Sequence, residues 1–198
     1  MKTVDKRVFL YEIDAEDRLV RVNEHWVQFA QENKAPYITN AYVIGRPIWD
    51  FITGREIKHI FRILFEKIRT TGLGVELPFR CDSPECRRFM EMKITPLNGG
   101  SLAFHTKIIK EEFRDPAPIL DAMADRSNEF VTMCSWCKRI ILPENGWAEV
   151  EEAVSRLDLF GQIKLPQLTH GICPDCSELF FKKSVDLDTQ PSKNRKKT

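Results

Sequence analysis

Histidine is scarce in this chain, with four residues, and no apolar run approaches the roughly 18 residues that a membrane-spanning helix needs. No transmembrane segment is therefore expected. The start of the chain, Met1 to Arg7, also lacks the apolar stretch of a secretory signal, which predicts a cytoplasmic protein. Neither sign of charge is in excess. Thirty basic residues face 29 acidic ones, for a net charge of +1. That balance gives no global case for nucleic acid or an anionic membrane as partner. The sequence holds no G-x-S-x-G, no phosphate-binding glycine loop and no H-E-x-x-H. It likewise shows no histidine-kinase phosphoacceptor segment and no nucleotide-cyclase motif. A non-enzymatic protein that acts by binding is expected.

What the chain does have is paired cysteine. Cys134 and Cys137 stand in T-M-C-S-W-C-K, and Cys173 and Cys176 in H-G-I-C-P-D-C-S. Two thiolates at this spacing reach one ion from a tight turn, and two such turns supply the four soft ligands of a tetrahedral site. In a reducing compartment such pairs are metal or redox groups more often than disulfides. Zinc is the expected metal, in a small zinc-ribbon-like module with four cysteine ligands over residues 131–183. Structural zinc contributes roughly 10–16 kcal/mol in comparable peptides, enough to staple a fold of this size. Iron in the same four-thiolate geometry is the alternative, although Lys138 and Ser177 follow the pairs where rubredoxin knuckles favour glycine. A thiol–disulfide switch is a third reading. No βαβ pattern is evident around either pair, which counts against a thioredoxin-like arrangement.

His170, three residues before Cys173, has three readings: a ligand in a variant with three cysteines and one histidine, a hydrogen-bond donor to a thiolate, or a loop histidine bonded to backbone. Cys81 is in phase with Phe79 and reads as a buried small hydrophobe, with Cys86 as a loop residue.

Ahead of the cysteines the pattern is strand, strand, helices, then three strands. Residues 8–13 and 18–22 form a hairpin. Asn23 caps a helix to about Glu32. The strongest helix runs from Arg55 to about Arg69 and stops at Gly72, with Ile57, Ile60, Phe61, Leu64, Phe65 and Ile68 in one stripe. Strands follow at 75–81, 87–95 and 101–109. This order predicts an α+β domain, an antiparallel sheet with helices on one face. Residues 111–130, containing Asp115-Pro116-Ala117-Pro118, read as a linker. Within the cysteine module, residues 147–160 read as an amphipathic helix. Trp147, Val150, Ala153, Val154, Leu157 and Phe160 share its apolar face, and Glu149, Glu151 and Glu152 lie outside it. Residues 184–198 read as a disordered basic tail, ending in Lys193-Asn194-Arg195-Lys196-Lys197.

R-L-V-R-V-N-E-H-W and V-I-G-R-P-I-W-D-F-I resemble segments of PAS sensory domains, and the element order over residues 7–110 agrees. The second module, C-S-W-C-K with Trp147 and H-G-I-C-P-D-C, resembles a small cysteine domain at the C-terminal end of some bacterial PAS-containing signalling proteins. The resemblance implies a signalling sensor or adaptor with a protein partner and a small-molecule ligand, and it is compatible with a homodimer. Trp26, Phe29, Trp49, Phe61, Phe65 and Met92 are the residues that would line a ligand pocket, or fill a core. Neither flavin nor haem is predicted: no flavin-reactive cysteine motif is present, and His25 is the one histidine placed to approach a haem. A redox-active protein and a nucleic-acid-binding regulator remain the alternative functions. On the two-domain reading, Cys134→Ser unfolds residues 131–183 and spares the first domain.

Overall fold

The computed structural model describes residues 5–144, 146–159 and 161–189. The first half is a five-stranded sheet. β1 (Val8–Ile13) and β2 (Leu19–Val22) form the expected hairpin. Asn23 then caps α1 (Glu24–Glu32). Its Oδ1 accepts from the Trp26 amide at 3.0 Å and the Leu10 amide at 3.1 Å, and its Nδ2 donates to the Val8 carbonyl at 2.8 Å. One side chain thus closes the helix and pins it to β1.

A short helix not anticipated from sequence, α2 (Asn40–Val43), starts at Thr39. After a helical turn at Ile48–Asp50 comes α3 (Arg55–Thr71). The α3 stripe is as expected. Ile57, Phe61, Leu64, Phe65 and Ile68 are buried, and His59, Arg62 and Glu66 are exposed. Gly72 ends the helix at φ 70°, a left-handed cap that suits glycine, with its amide on the Ile68 carbonyl.

β3 (Val75–Arg80), β4 (Cys86–Pro96) and β5 (Leu102–Phe113) complete an antiparallel sheet in the order β2-β1-β5-β4-β3. Its inner face packs against the helices. Phe65 meets Phe104 edge-on at 5.4 Å and Phe61 at 5.5 Å, and Tyr11 stacks on Phe104 at 4.3 Å. This is the antiparallel sheet with packed helices that the order of elements predicts.

The last third departs further from expectation. β5 runs to Phe113 and β6 (Arg126–Cys134) starts inside the expected linker, which shortens the connection to residues 114–125. That connection is anchored by Ile119, which is fully buried. The expected helix at 147–160 is replaced by a short strand and a shorter helix. β7 (Ile140–Ile141) pairs with β8 (Trp147–Ala148), and only then does α4 (Val150–Arg156) begin. Strand pairing of Trp147 with Ile141 wins over the helical periodicity of this stretch; Phe160 lies outside the described residues.

β9 (Leu165–Gly171) pairs parallel to β6, in the sheet order β8-β7-β6-β9. A crossover unit does therefore surround the cysteines, contrary to the sequence reading. α5 (Pro174–Thr189) extends through the first residues of the expected tail. Lys67 of α3 holds it there, bonding the Ser184 carbonyl at 3.2 Å and the Asp188 carboxylate. The basic stretch 193–197 lies outside the described residues. Among the described residues no helix is long and apolar enough to cross a membrane.

Among the described residues the buried apolar side chains form two large clusters and a small one of Phe9, Met90 and Ile108. Ala117, Ile119, Met133, Ile140, Val150 and Val154 belong to the large one beneath the second sheet. The other large one is the core of the first sheet, and it continues without interruption into Cys134, Trp136, Cys173, Cys176, Phe180 and Leu187.

Candidate metal centre

The parallel pairing of β6 and β9 places the two cysteine pairs together. Cys134 ends β6 opposite Gly171 at the end of β9, and the Ser135 amide donates to the Gly171 carbonyl at 2.9 Å. Both pairs thus follow the carboxyl ends of neighbouring parallel strands, where loops converge. The first pair sits in a tight hairpin, with the Cys134 amide on the Arg139 carbonyl at 2.7 Å and the Lys138 amide on the Cys134 carbonyl at 3.0 Å. Lys138 takes φ 65°. The turn therefore uses the left-handed conformation that favours glycine, at a cost of roughly 1–2 kcal/mol. The glycine criterion raised against an iron knuckle loses force, because the backbone makes the turn with lysine. The second pair opens α5: Pro174 is its first residue, Cys176 is in its first turn, and the Ser177 amide bonds the Cys173 carbonyl at 3.0 Å.

The four sulfur atoms lie within 4.8 Å of one another, and Cys137 Sγ is 3.6 Å from Cys173 Sγ. A tetrahedron with metal–sulfur bonds of about 2.3 Å has edges of about 3.8 Å. The donor set fits a four-thiolate ion with a contraction of at most about 1 Å along its longest edge. Cys134, Cys173 and Cys176 are buried and Cys137 is half-buried. The crowding shows in their acidities. Hydrogen bonds from the Cys137 and Cys176 thiols hold Cys134 far below the usual thiol range, and bonding to Cys134 and Cys137 keeps Cys176 far above it. Burial pushes Cys173 up. Sharing protons in this way is what a divalent cation would replace with four thiolate bonds.

Arg139 was not singled out by the sequence. Its Nε and Nη2 donate to Cys137 Sγ and Cys173 Sγ, each at 3.3 Å, and Nη2 also reaches Asp175 Oδ2 at 2.6 Å. The guanidinium offsets part of the negative charge of the thiolates. The Cys173 amide adds a donor to Cys134 Sγ at 3.4 Å. His170 is not in the cluster. It is half-buried on β9, and burial, followed by the nearby Lys138, lowers its pKa below the ordinary 6.5.

Trp136, inside the first pair, is 5% exposed. Its ring meets Phe180 at 4.6 Å, Phe79 at 5.5 Å and Phe61 at 5.8 Å. Its Nε1 donates to the Pro78 carbonyl at 2.5 Å, and its carbonyl accepts from the Arg80 amide at 2.9 Å. Arg80 is itself buried. It pairs with Asp82 and with Glu149 at 2.5 Å, while Arg114 pairs with Asp82 at 3.3 Å and Glu151 at 2.8 Å. Glu149 and Glu151, expected on the outer side of a helix, thus face the first sheet. No sequence periodicity signals these contacts, since each joins elements more than 35 residues apart.

The candidate pocket residues are distributed through packed regions. Phe61, Phe65 and Met92 are buried in the main core, with Trp26 and Trp49 packed at its margin. Phe29 packs on Phe9 at 4.6 Å in a separate small cluster with Met90 and Ile108. His25 is exposed. Cys81 is half-buried and packs, as a small hydrophobe, against the cluster of Phe9, Met90 and Ile108, whereas Cys86, expected in a loop, is buried at the start of β4. β4 begins one residue earlier than the alternation suggests and takes Cys86 into the sheet.

No protein-family model matches the chain, and no curated protein sequence matches it at a significant level. Solved structures to which the chain is similar include the photoactive yellow protein domain of the sensor histidine kinase Ppr from Rhodospirillum centenum. That similarity has a TM-score of 0.38 and 11% identity, and covers 50% of this chain and 84% of that one. A sensory box sensor histidine kinase from Vibrio cholerae gives 0.33 and 11%, over 52% of this chain and 82% of that one. The Aer2 receptor from Vibrio cholerae, a dual PAS-heme oxygen sensor, gives 0.35 and 12%, over 53% of this chain and 96% of that one. These likenesses cover about half of the chain.

Proposed function

We propose that the chain is a non-enzymatic signalling sensor or adaptor, in which a PAS-like region binds a small ligand or protein partner and Cys134, Cys137, Cys173 and Cys176 hold a structural zinc ion. The observation that supports the metal most directly is the convergence of the four sulfurs within 4.8 Å, three of them buried. A bound zinc ion supplies a redox-inert cross-link between the two loops. The protein supplies the rest. Parallel strands bring the loops together, Arg139 balances charge, and the Trp136 cluster excludes water from one side. The sensor reading is supported by the antiparallel sheet with helices on one face, joined by a continuous core to the cysteine centre.

Four thiolates also suit iron, and the test separates the two. Tag-free protein is submitted to elemental analysis and its visible absorption recorded. One zinc per chain without colour supports the reading. One iron with thiolate-to-iron absorption moves the function to redox chemistry, and a metal-free chain with four titratable thiols overturns the metal reading.

A further inference from the structure

β3 is an edge strand, and edge strands present unpaired backbone groups that other chains can use. Here part of that edge is covered from within. Two of the outward groups in the second half of β3 are the Pro78 carbonyl and the Arg80 amide. Trp136 satisfies both, with its indole Nε1 and its own carbonyl, as a one-residue substitute for a neighbouring strand. The covering residue lies inside the first cysteine pair, two positions from Cys134 and one from Cys137. Whatever joins those cysteines to Cys173 and Cys176 therefore fixes the loop that seals the sheet.

We infer that the edge of the five-stranded sheet reads the occupancy of the four-thiolate centre, with Trp136 as the side chain that transmits it. The inference rests on the metal reading above. With the ion bound, the Cys134–Cys137 loop is tied at both ends, and the Trp136 ring stays wedged among Phe61, Phe79 and Phe180. Without it the loop loses its cross-link to Cys173 and Cys176. Withdrawal of Trp136 then opens the β3 edge and uncovers those three rings. Arg80, whose amide Trp136 holds, also carries the guanidinium that pairs with Asp82 and Glu149, so movement of this strand end reaches α4 as well. The route runs through direct contacts, from thiolate to loop, ring and strand. By linkage it works in both directions: a sheet edge that grips Trp136 strengthens metal binding by the same factor that metal strengthens the edge.

The test uses the full chain, stripped of metal and reloaded with Co(II), whose thiolate charge-transfer absorption reports binding independently of the sheet. Hydrogen exchange at the Arg80 amide is followed in both states. The expected result is exchange at least about tenfold faster in the stripped chain, together with Co(II) binding weakened about tenfold in Trp136→Ala and about fivefold in Trp136→Phe, within the usual range of coupling factors. Trp136→Phe keeps one aromatic ring and loses the Nε1 donor with the second ring of the indole, a smaller truncation that covers the case in which the alanine variant does not fold. Normal Co(II) absorption with equal Arg80 exchange in the two states overturns the inference and leaves the metal reading standing. Should stripping unfold the whole chain, unchanged Co(II) affinity in Trp136→Phe overturns it. Absence of thiolate absorption on adding Co(II) overturns both.

Discussion

On one side of the four-cysteine centre, Trp136 is enclosed by Phe61, Phe79 and Phe180; on the other, Arg139 bridges two sulfurs and an aspartate that is 73% exposed. The enclosed side joins the centre to the core of the first sheet, where each aromatic ring removes about 150–250 Å² from water. The open side makes charge-assisted bonds, whose worth is reduced by solvent. The two sides therefore have different roles. Packing decides what the centre holds in place, and on the proposed metal reading the polar contacts would adjust how tightly an ion is held.

The largest expected effect comes from the shared element. Cys134→Ser should abolish stoichiometric metal binding and lower the melting temperature by at least about 10 °C, measured by elemental analysis and calorimetry. Retention of a full equivalent of metal would show that the four sulfurs do not act as a set. Next comes the enclosed side. Trp136→Ala removes a buried indole and should destabilise by about 3–5 kcal/mol in a urea titration, and a loss under about 1 kcal/mol would show that the aromatic side holds little in place.

The open side follows. Arg139→Met should weaken metal binding about 10–100-fold with little change in the folded sheet, as read by chelator competition. An unchanged affinity would mean that the guanidinium only decorates the site.

The smallest effect concerns His170. Its folded pKa lies below 6.5, chiefly through burial, so as the pH falls through 6.5 the unfolded chain takes up a proton before the folded one does. Stability therefore falls with falling pH across that window. His170→Gln should remove this component and melt with a shallower pH slope between about pH 7 and about pH 5.5. Parallel slopes in variant and parent would show that His170 titrates alike in both states.

Much of the first region is legible because its signals are local. The Asn23 cap and the Gly72 stop are each written within one turn of helix, the α3 stripe repeats from turn to turn within a single element, and the hairpin spacing of β1 and β2 sets their pairing. The four cysteines are legible for the same reason, since each pair declares itself within four residues. What joins the regions is not local. β6 and β9 pair in parallel across a long excursion, so neither strand announces its neighbour. Residues 147–160 have helical periodicity, yet Trp147 and Ala148 are taken by the Ile140–Ile141 strand. Arg80 is polar by type and buried by context, because Asp82 and Glu149 close over it. Residues 184–189 look like a polar tail and are held helical by the packing of α5 on α3 through Lys67.

The central claim is that the cysteine centre and the first sheet form one unit, and the direct measurement is residue-resolved hydrogen exchange of the metal-loaded chain through a urea titration. A single unit predicts that amides of β3, β4 and β5 and those flanking Cys134 and Cys173 lose protection in one transition, which moves to lower urea as a whole when the metal is removed. Two transitions, with the five-stranded sheet unaffected by metal removal, would contradict it and restore two independent domains.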